Sequence, residues 1–168
     1  IDRSYVRGVL RRSLNRLGLP RLHLVQFHWW DWSVSGHVAA YRHLVEAQQD
    51  GLVGEVGLTN YDGVHLKELL DAGLPVASIQ VQYSLLDDRA GTDLAPICCQ
   101  HGISLLCYGA LAGGFLTERW LGVPEPGCGA EENRSLTKYH LIIQEFGGWN
   151  LFQELLSVLH TVGQRRSV

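Results

Sequence analysis

Apolar and polar positions follow two alternating periods along the chain, and this pattern predicts short strands separated by helices. Four β-prone apolar runs predict strands, at 22–29, 54–60, 76–85 and 103–111. Each run is followed by residues with helical spacing, at about 37–50, 63–72, 90–101 and 150–165. Strands that alternate with helices favour a parallel sheet with right-handed crossovers. Two architectures remain open at this point: an open doubly wound sheet, or part of a (β/α)8 barrel.

Both ends of the chain also have helical patterns. Near the start, the apolar positions at helical spacing are Val6, Leu10, Leu14 and Leu17, and a Gly-x-Pro sequence closes the segment at 18–20. Near the end, a leucine-rich stripe begins at Leu151, and Asn150 and Gln153 are spaced like a capping box. The sequence has no methionine. We therefore interpret it as a piece of a longer protein.

Composition and charge narrow the class of protein. A chain of 168 residues with 46% hydrophobic and 18% charged residues is typical of one globular domain. The net charge of -3 predicts neither a nucleic acid nor an acidic membrane as partner. No apolar run predicts a membrane span or a signal peptide. The cysteines, which are Cys98, Cys99, Cys107 and Cys128, lack metal-ligand spacing, so we expect no metal and buried thiols in a reducing, cytoplasmic protein.

Polar or aromatic side chains stand at the end of every predicted strand, where parallel α/β folds place their functional groups. These are His28 with Asp31, Thr59 with Asn60, Gln80 with Gln82, and Tyr108. The sequence lacks GxGxxG after a strand, GxxxxGK[ST], GxSxG and HExxH. The common motifs for dinucleotide binding in a Rossmann fold, nucleotide hydrolysis, ester hydrolysis and zinc chemistry are therefore missing.

Four segments resemble strands four to seven of the aldo/keto reductase barrel, in order and in spacing. They read LHLVQFHWWD, LVEAQQDGLVGEVGLTNYD, SIQVQYSLLDDR and GISLLCYGALAGGFLTERWLG. The resemblance covers nearly the whole chain. It implies an α/β fold, a partial (β/α)8 TIM barrel, in which residues 1–168 form a single incomplete domain. That domain lacks the regions of strands 1–3 and strand 8.

The resemblance implies reduction of a small-molecule carbonyl compound. Members of the family transfer a hydride from NADPH to an aldehyde or ketone, while a tyrosine activated by a lysine and an aspartate protonates the product. A histidine at the end of strand four donates a hydrogen bond to the carbonyl oxygen, and His28 matches it as a catalytic residue. Without the resemblance, the residues favour His28 as a packed strand-end residue that bonds nearby carbonyls or Asp31.

The cofactor-binding residues follow from the same resemblance. Thr59 and Asn60 match a Ser-Asn pair that holds the nicotinamide carboxamide together with Gln80. Tyr108 matches the aromatic residue that stacks on the nicotinamide ring, and Leu111 is expected to line the pyrophosphate path. From the residues alone, Asn60 could instead belong to a turn that caps the next helix, and Tyr108 could be a buried strand tyrosine.

Two further segments are assigned to the substrate side. Trp29 and Trp30, with Trp32, are expected to form an apolar substrate wall, although three aromatic residues at a strand end also fit packing at the rim. Residues 112–148 are expected to be a long connection that covers the cofactor or the substrate.

Several family residues have no counterpart in this chain. No DTAxxYG-like stretch supplies the catalytic aspartate and tyrosine, and the basic cluster that binds the adenosine 2′-phosphate would follow residue 168. We expect the chain alone to be inactive, as the central part of a carbonyl reductase. The alternatives are a non-catalytic regulatory or interaction subunit and a degenerate, truncated remnant. Four strands leave two open sheet edges, so missing barrel segments or self-association must cover them.

Overall fold

A four-stranded sheet forms the centre of the chain. The computed structural model describes residues 1–127 and 134–166. Its strands are β1 (Leu22–Phe27), β2 (Val53–Thr59), β3 (Ser78–Gln82) and β4 (Ser104–Tyr108). They lie in the order β1-β2-β3-β4, and β1 pairs with β2, and β2 with β3, in parallel. Each predicted strand is confirmed, with ends that differ by a few residues.

Helices follow the strands as the periodicity predicts. The described residues form α1 (Arg3–Leu17), α2 (His37–Gln49), α3 (Gly63–Asp71), α4 (Arg89–Asp93), α5 (Ala95–His101), α6 (Arg134–Phe146) and α7 (Gly148–Arg166). Two 3₁₀ turns lie at Ala112–Gly114 and Glu118–Trp120. In α1, Asp2 caps the N-terminus by accepting from the Tyr5 amide at 2.8 Å, and Gly18 ends the helix with φ 66°.

The predictions for the last third of the chain are partly wrong. Residues 112–148 are not a plain connection, because α6 occupies Arg134–Phe146 and buries Ile142 and Ile143. The capping box is also wrong, since α7 begins at Gly148. Gln153 instead donates to the Trp120 carbonyl at 2.9 Å and accepts from the Gly122 amide at 2.8 Å. It thereby ties a loop to the helix.

The chain forms two compact units. Unit 1 consists of Ile1–Val81 and Arg89–Cys107, and unit 2 of Gln82–Asp88 and Tyr108–Val168. The largest fully buried side chains of unit 1 are Tyr41, Leu58, Leu66, Leu69, Ile79 and Leu94. The core of unit 2 is formed by Leu86, Ala112, Phe115, Ile142, Ile143, Trp149, Phe152 and Leu156. Each unit therefore buries its own apolar side chains.

The cysteines only partly follow the expectation of buried thiols. Cys98 is buried, whereas Cys99 and Cys107 are exposed, and Cys128 lies outside the described residues. Cys107 lies near the end of β4. No helix in the described ranges is long and apolar enough to cross a membrane.

Candidate functional site

The pairing of β2 with β3 brings three of the predicted site residues together. Thr59 is the register partner of Gln80, and its Oγ1 donates to Gln80 Oε1 at 3.3 Å. The Asn60 amide donates to the Gln80 carbonyl at 2.9 Å. Because both strands are parallel, these three residues share one end of the sheet. The sequence signals at 59–60 and at 80 therefore describe one place in the fold.

Asn60 adopts a backbone conformation that few residues tolerate. Its φ is 54°, in the left-handed region, where Asn is enriched among non-glycine residues. The helix that follows is capped by Asp62, whose side chain accepts from the His65 amide at 2.9 Å. Asn60 is thus not the cap of α3, and the left-handed turn sets its exposed side chain at the end of β2.

His28 directly follows β1, the strand that pairs with β2. Phe27 ends β1 and pairs with Leu58, so His28 and Thr59 are the residues that follow this last pair on their two chain segments. Its half-buried ring contacts Trp30, with ring centroids 4.0 Å apart. No hydrogen bond joins His28 to Asp31 in the part of the chain that the structure describes. Asp31 Oδ1 instead accepts from the Ser33 hydroxyl at 2.6 Å and the Ser33 amide at 2.9 Å, which lower the pKa of Asp31.

The tryptophans after β1 have different environments. Trp29 Nε1 donates to the carbonyls of Asp31 at 2.9 Å and Val34 at 3.1 Å, which holds its ring against its own loop. Trp32 stacks on His65, with ring centroids 3.6 Å apart and planes 11° apart. These contacts hold both rings in place, and the role of Trp29 in a substrate wall stays a prediction. Trp30 differs because it is 85% exposed next to His28, and its role as a substrate wall stays a prediction.

A second row of residues crosses the sheet two positions before His28, Thr59 and Gln80 on their chain segments, and it contains two polar side chains. Gln26 pairs with Gly57, and the same register sets Gly57 against Ser78. Ser78 Oγ occupies the space over Gly57, where an added Cβ would lie 2.5 Å from that oxygen. Gln26 Nε2 and Ser78 Oγ are buried and have no hydrogen-bond partner among the described residues. Such groups favour a polar ligand or further chain above them.

The donors and acceptors at this end of the sheet fit a carboxamide. A carboxamide has one acceptor oxygen and two N–H donors. The Thr59 hydroxyl and the side-chain carboxamides of Asn60 and Gln80 supply both donors and acceptors, and the three residues are neighbours at this end of the sheet. Within residues 1–127 and 134–166, no group of three or more His, Cys, Asp or Glu side chains could hold a metal ion. The residues present thus match an amide-bearing ligand.

The other two predicted cofactor residues belong to unit 2. Tyr108 ends β4 and is half-buried, and Lys138 Nζ lies 5.3 Å from the centre of its ring. The same ammonium lies 5.4 Å from the Tyr139 ring, and a Cβ at Gly109 would lie 2.5 Å from Tyr139 Oη. Leu111 is 61% exposed, so its side chain is available to a ligand. Lys138 and Tyr139 were missed by sequence reasoning because their helix was taken for a connection.

Comparison with known proteins identifies the family. The model of the aldo/keto reductase family matches residues 1–168. The chain therefore belongs to the aldo/keto reductase family, and the resemblance seen in the sequence is confirmed. It is 26% identical to the aldo-keto reductase AKR11C1 from Bacillus halodurans in its apo form, with a TM-score of 0.65 over 76% of this chain and 43% of that chain. The fold is thus a partial (β/α)8 barrel.

Curated relatives differ in what their names describe. Flagellar radial spoke protein 5 of Chlamydomonas reinhardtii is 28% identical over 90% of this chain and 32% of its own length. Chloroplastic pyridoxal reductase of Arabidopsis thaliana is 34% identical over 66% of this chain and 32% of its own length. The NADH-specific methylglyoxal reductase of Escherichia coli is 31% identical over 67% of this chain and 35% of its own length. The chain spans about a third of the length of these relatives.

Proposed function

We propose that this chain is the nicotinamide-binding and carbonyl-orienting part of an NADPH-dependent reductase of aldehydes and ketones. The observation that supports this most directly is the Thr59-Asn60-Gln80 group, with His28 directly after the neighbouring strand β1. The names of two relatives agree with a carbonyl substrate, because pyridoxal and methylglyoxal are both aldehydes. One of these relatives is named NADH-specific, so NADPH is the finer part of the proposal.

Each side chain has a distinct role in this proposal. A bound nicotinamide supplies the hydride. Thr59, Asn60 and Gln80 hold its carboxamide and so determine which face of the ring meets the substrate. The His28 ring donates a hydrogen bond to the carbonyl oxygen, which favours the negative charge that develops there. Trp30 covers the apolar side of the substrate.

The chain alone should not turn over a substrate. The sequence has no DTAxxYG stretch, so the tyrosine that protonates the alkoxide must come from residues outside 1–168. The anchor for the adenosine 2′-phosphate is missing in the same way. We therefore expect fluorescence titration of this chain to show no binding of NADPH at micromolar concentrations. Micromolar binding would contradict this expectation.

The nicotinamide end of the site can be tested by NMR at high ligand concentration. We expect nicotinamide mononucleotide to shift the amide signals of Asn60 and Gln80 with a Kd of about 1 mM or weaker, which corresponds to about -4 kcal/mol. Thr59→Val removes the hydroxyl and retains the branched shape, so it should weaken these shifts. The control is Thr92→Val, because Thr92 is exposed and its Oγ1 donates to the Arg89 carbonyl in its own helix. Shifts that avoid β2 and β3, or that survive Thr59→Val unchanged, would refute the assignment.

A second candidate function is an interaction subunit that uses the barrel as a binding module. The observation that favours it is a relative that overlaps 90% of this chain and is named as a radial spoke protein and not as a reductase. The two functions differ in their need for His28. In a protein with the complete barrel, His28→Leu should lower kcat by about 10²-fold or more for a reductase. An interaction subunit would show no NADPH consumption with any carbonyl, and its partner binding would not change with His28→Leu.

A further inference from the structure

The first helix carries an excess of positive charge that the net charge of the chain conceals. Residues 1–21 contain six arginines and one acidic residue, whereas the remaining residues contain 8 basic and 16 acidic ones. The formal charge is therefore +5 on the first segment and -8 on the rest. A whole-chain value of -3 does not describe this surface.

Among the arginines of this first segment, all of which the structure describes, only those at the start of α1 form ion pairs with described acidic side chains. Arg3 lies 3.2 Å from Glu46 and 3.5 Å from Asp50, and Arg7 also pairs with Asp50. Glu46 lies in the helix α2, and Asp50 follows the last residue of that helix. Arg12 and Arg16 are exposed and form no ion pair with any residue that the structure describes. Their charges face solvent.

Arg12 and Arg16 belong to a regular stripe on the helix. Tyr5, Val9, Arg12 and Arg16 follow the spacing i, i+4, i+7, i+11, which places them on one helical face. We call this face the basic seam. Tyr5 is 60% exposed and Val9 is 37% exposed. The buried face of α1 is a separate one, formed by Val6, Leu10 and Leu14.

The basic seam does not stabilise the folded chain. Like charges at i and i+4, as in Arg12 and Arg16, destabilise a helix by a few tenths of a kcal/mol. Exposed Tyr5 and Val9 contribute little burial in the chain by itself. A face that combines uncompensated charge with apolar side chains at packing spacing has the composition of an interaction surface.

We propose that the basic seam docks an acidic amphipathic helix of another protein. Its carboxylates, one helical turn apart, would pair with Arg12 and Arg16, and its apolar side chains would cover Tyr5 and Val9. The seam is straight and about 16 Å long, which suits a helix of three turns. An acidic membrane is the poorer fit, because the apolar stripe of α1 is already buried in the protein and cannot insert. A phosphate backbone would leave Tyr5 and Val9 uncovered.

Fluorescence anisotropy with a designed peptide tests the proposal. The probe is a fluorescein-labelled helical peptide of about 16 residues, with Glu pairs at i, i+4 and Leu at the positions between them. The double variant Arg12→Glu with Arg16→Glu should weaken its binding by about tenfold, or about 1.4 kcal/mol. The matched control is Arg42→Glu with Lys67→Glu, two exposed cations on α2 and α3, which should change the Kd by less than about twofold.

Further variants and probes test the apolar residues of the basic seam and the other possible binding partners. Arg12→Gln with Arg16→Gln removes the attraction without adding repulsion and should give an intermediate loss, which keeps the test valid if the Glu variant unfolds. Tyr5→Ser should weaken binding without changing its salt dependence. Equal binding of a peptide with Lys in place of Glu would overturn the proposal. Tighter binding of phosphatidylserine vesicles or duplex DNA than of the acidic peptide would overturn it as well. Loss of a concentration-dependent dimer in the Arg12→Glu, Arg16→Glu variant would assign the seam to a second copy instead.

Discussion

Gly57→Ala should separate β2 from β3 just below the Thr59-Gln80 pair. A Cβ at Gly57 would lie 2.5 Å from Ser78 Oγ and 2.8 Å from the Ser78 carbonyl oxygen. The hydroxyl can rotate away, but the carbonyl belongs to the backbone of the next strand. The strands must therefore move apart by about half an ångström, and overpacking of this kind costs about 1–3 kcal/mol. The loss of chain entropy in the unfolded state offsets about 0.4–1 kcal/mol of this cost.

The net effect should be a loss of about 1–2 kcal/mol in the free energy of unfolding. In urea, this loss corresponds to a midpoint lower by about 0.5–1 M. Gly8→Ala is the matched control, because a Cβ there would make only an ordinary contact with Arg12 at 3.6 Å within α1. Alanine in a helix interior should stabilise by about 0.5–1 kcal/mol. The reasoning fails if Gly57→Ala is as stable as the parent chain, or if both variants shift in the same direction.

Three further predictions concern the backbone, the sheet edges and pH. Asn60→Val should lower the free energy of unfolding by about 1–2 kcal/mol and Asn60→Gly by much less, because the φ of residue 60 is 54°. Urea unfolding of the two variants measures the difference. Light scattering should show self-association, since β1 and β4 are the outer strands of the described sheet; a sharp monodisperse monomer would contradict this. Burial lowers the pKa of His37 below 6.5, against the opposing effect of Glu68. The unfolded chain then binds more protons, so stability should fall as pH decreases through 6.5, and His37→Gln should flatten this slope.

Much of the fold follows from local sequence signals. The apolar runs that became β1 to β4 are short and β-prone, and the stripe of Val6, Leu10 and Leu14 is buried as its spacing predicts. The connection at 112–148 was misjudged because Gly and Pro at its start obscured the helical spacing of Ile142 and Ile143. That helix is stabilised by burial in the core of unit 2, a contact made far along the chain.

The site shows the same division between local and tertiary information. The sequence by itself determined which side chains stand at the strand ends, because a strand and its punctuation are local properties of the chain. The strand pattern could not determine that Thr59 lies against Gln80, since the pairing joins residues on separate strands, and only the family resemblance had put them together. Nor could it show that Trp29 bonds its own loop, that Trp32 stacks on His65 and that Trp30 is exposed. Register and burial depend on which segments meet in space, and only the tertiary structure decides that.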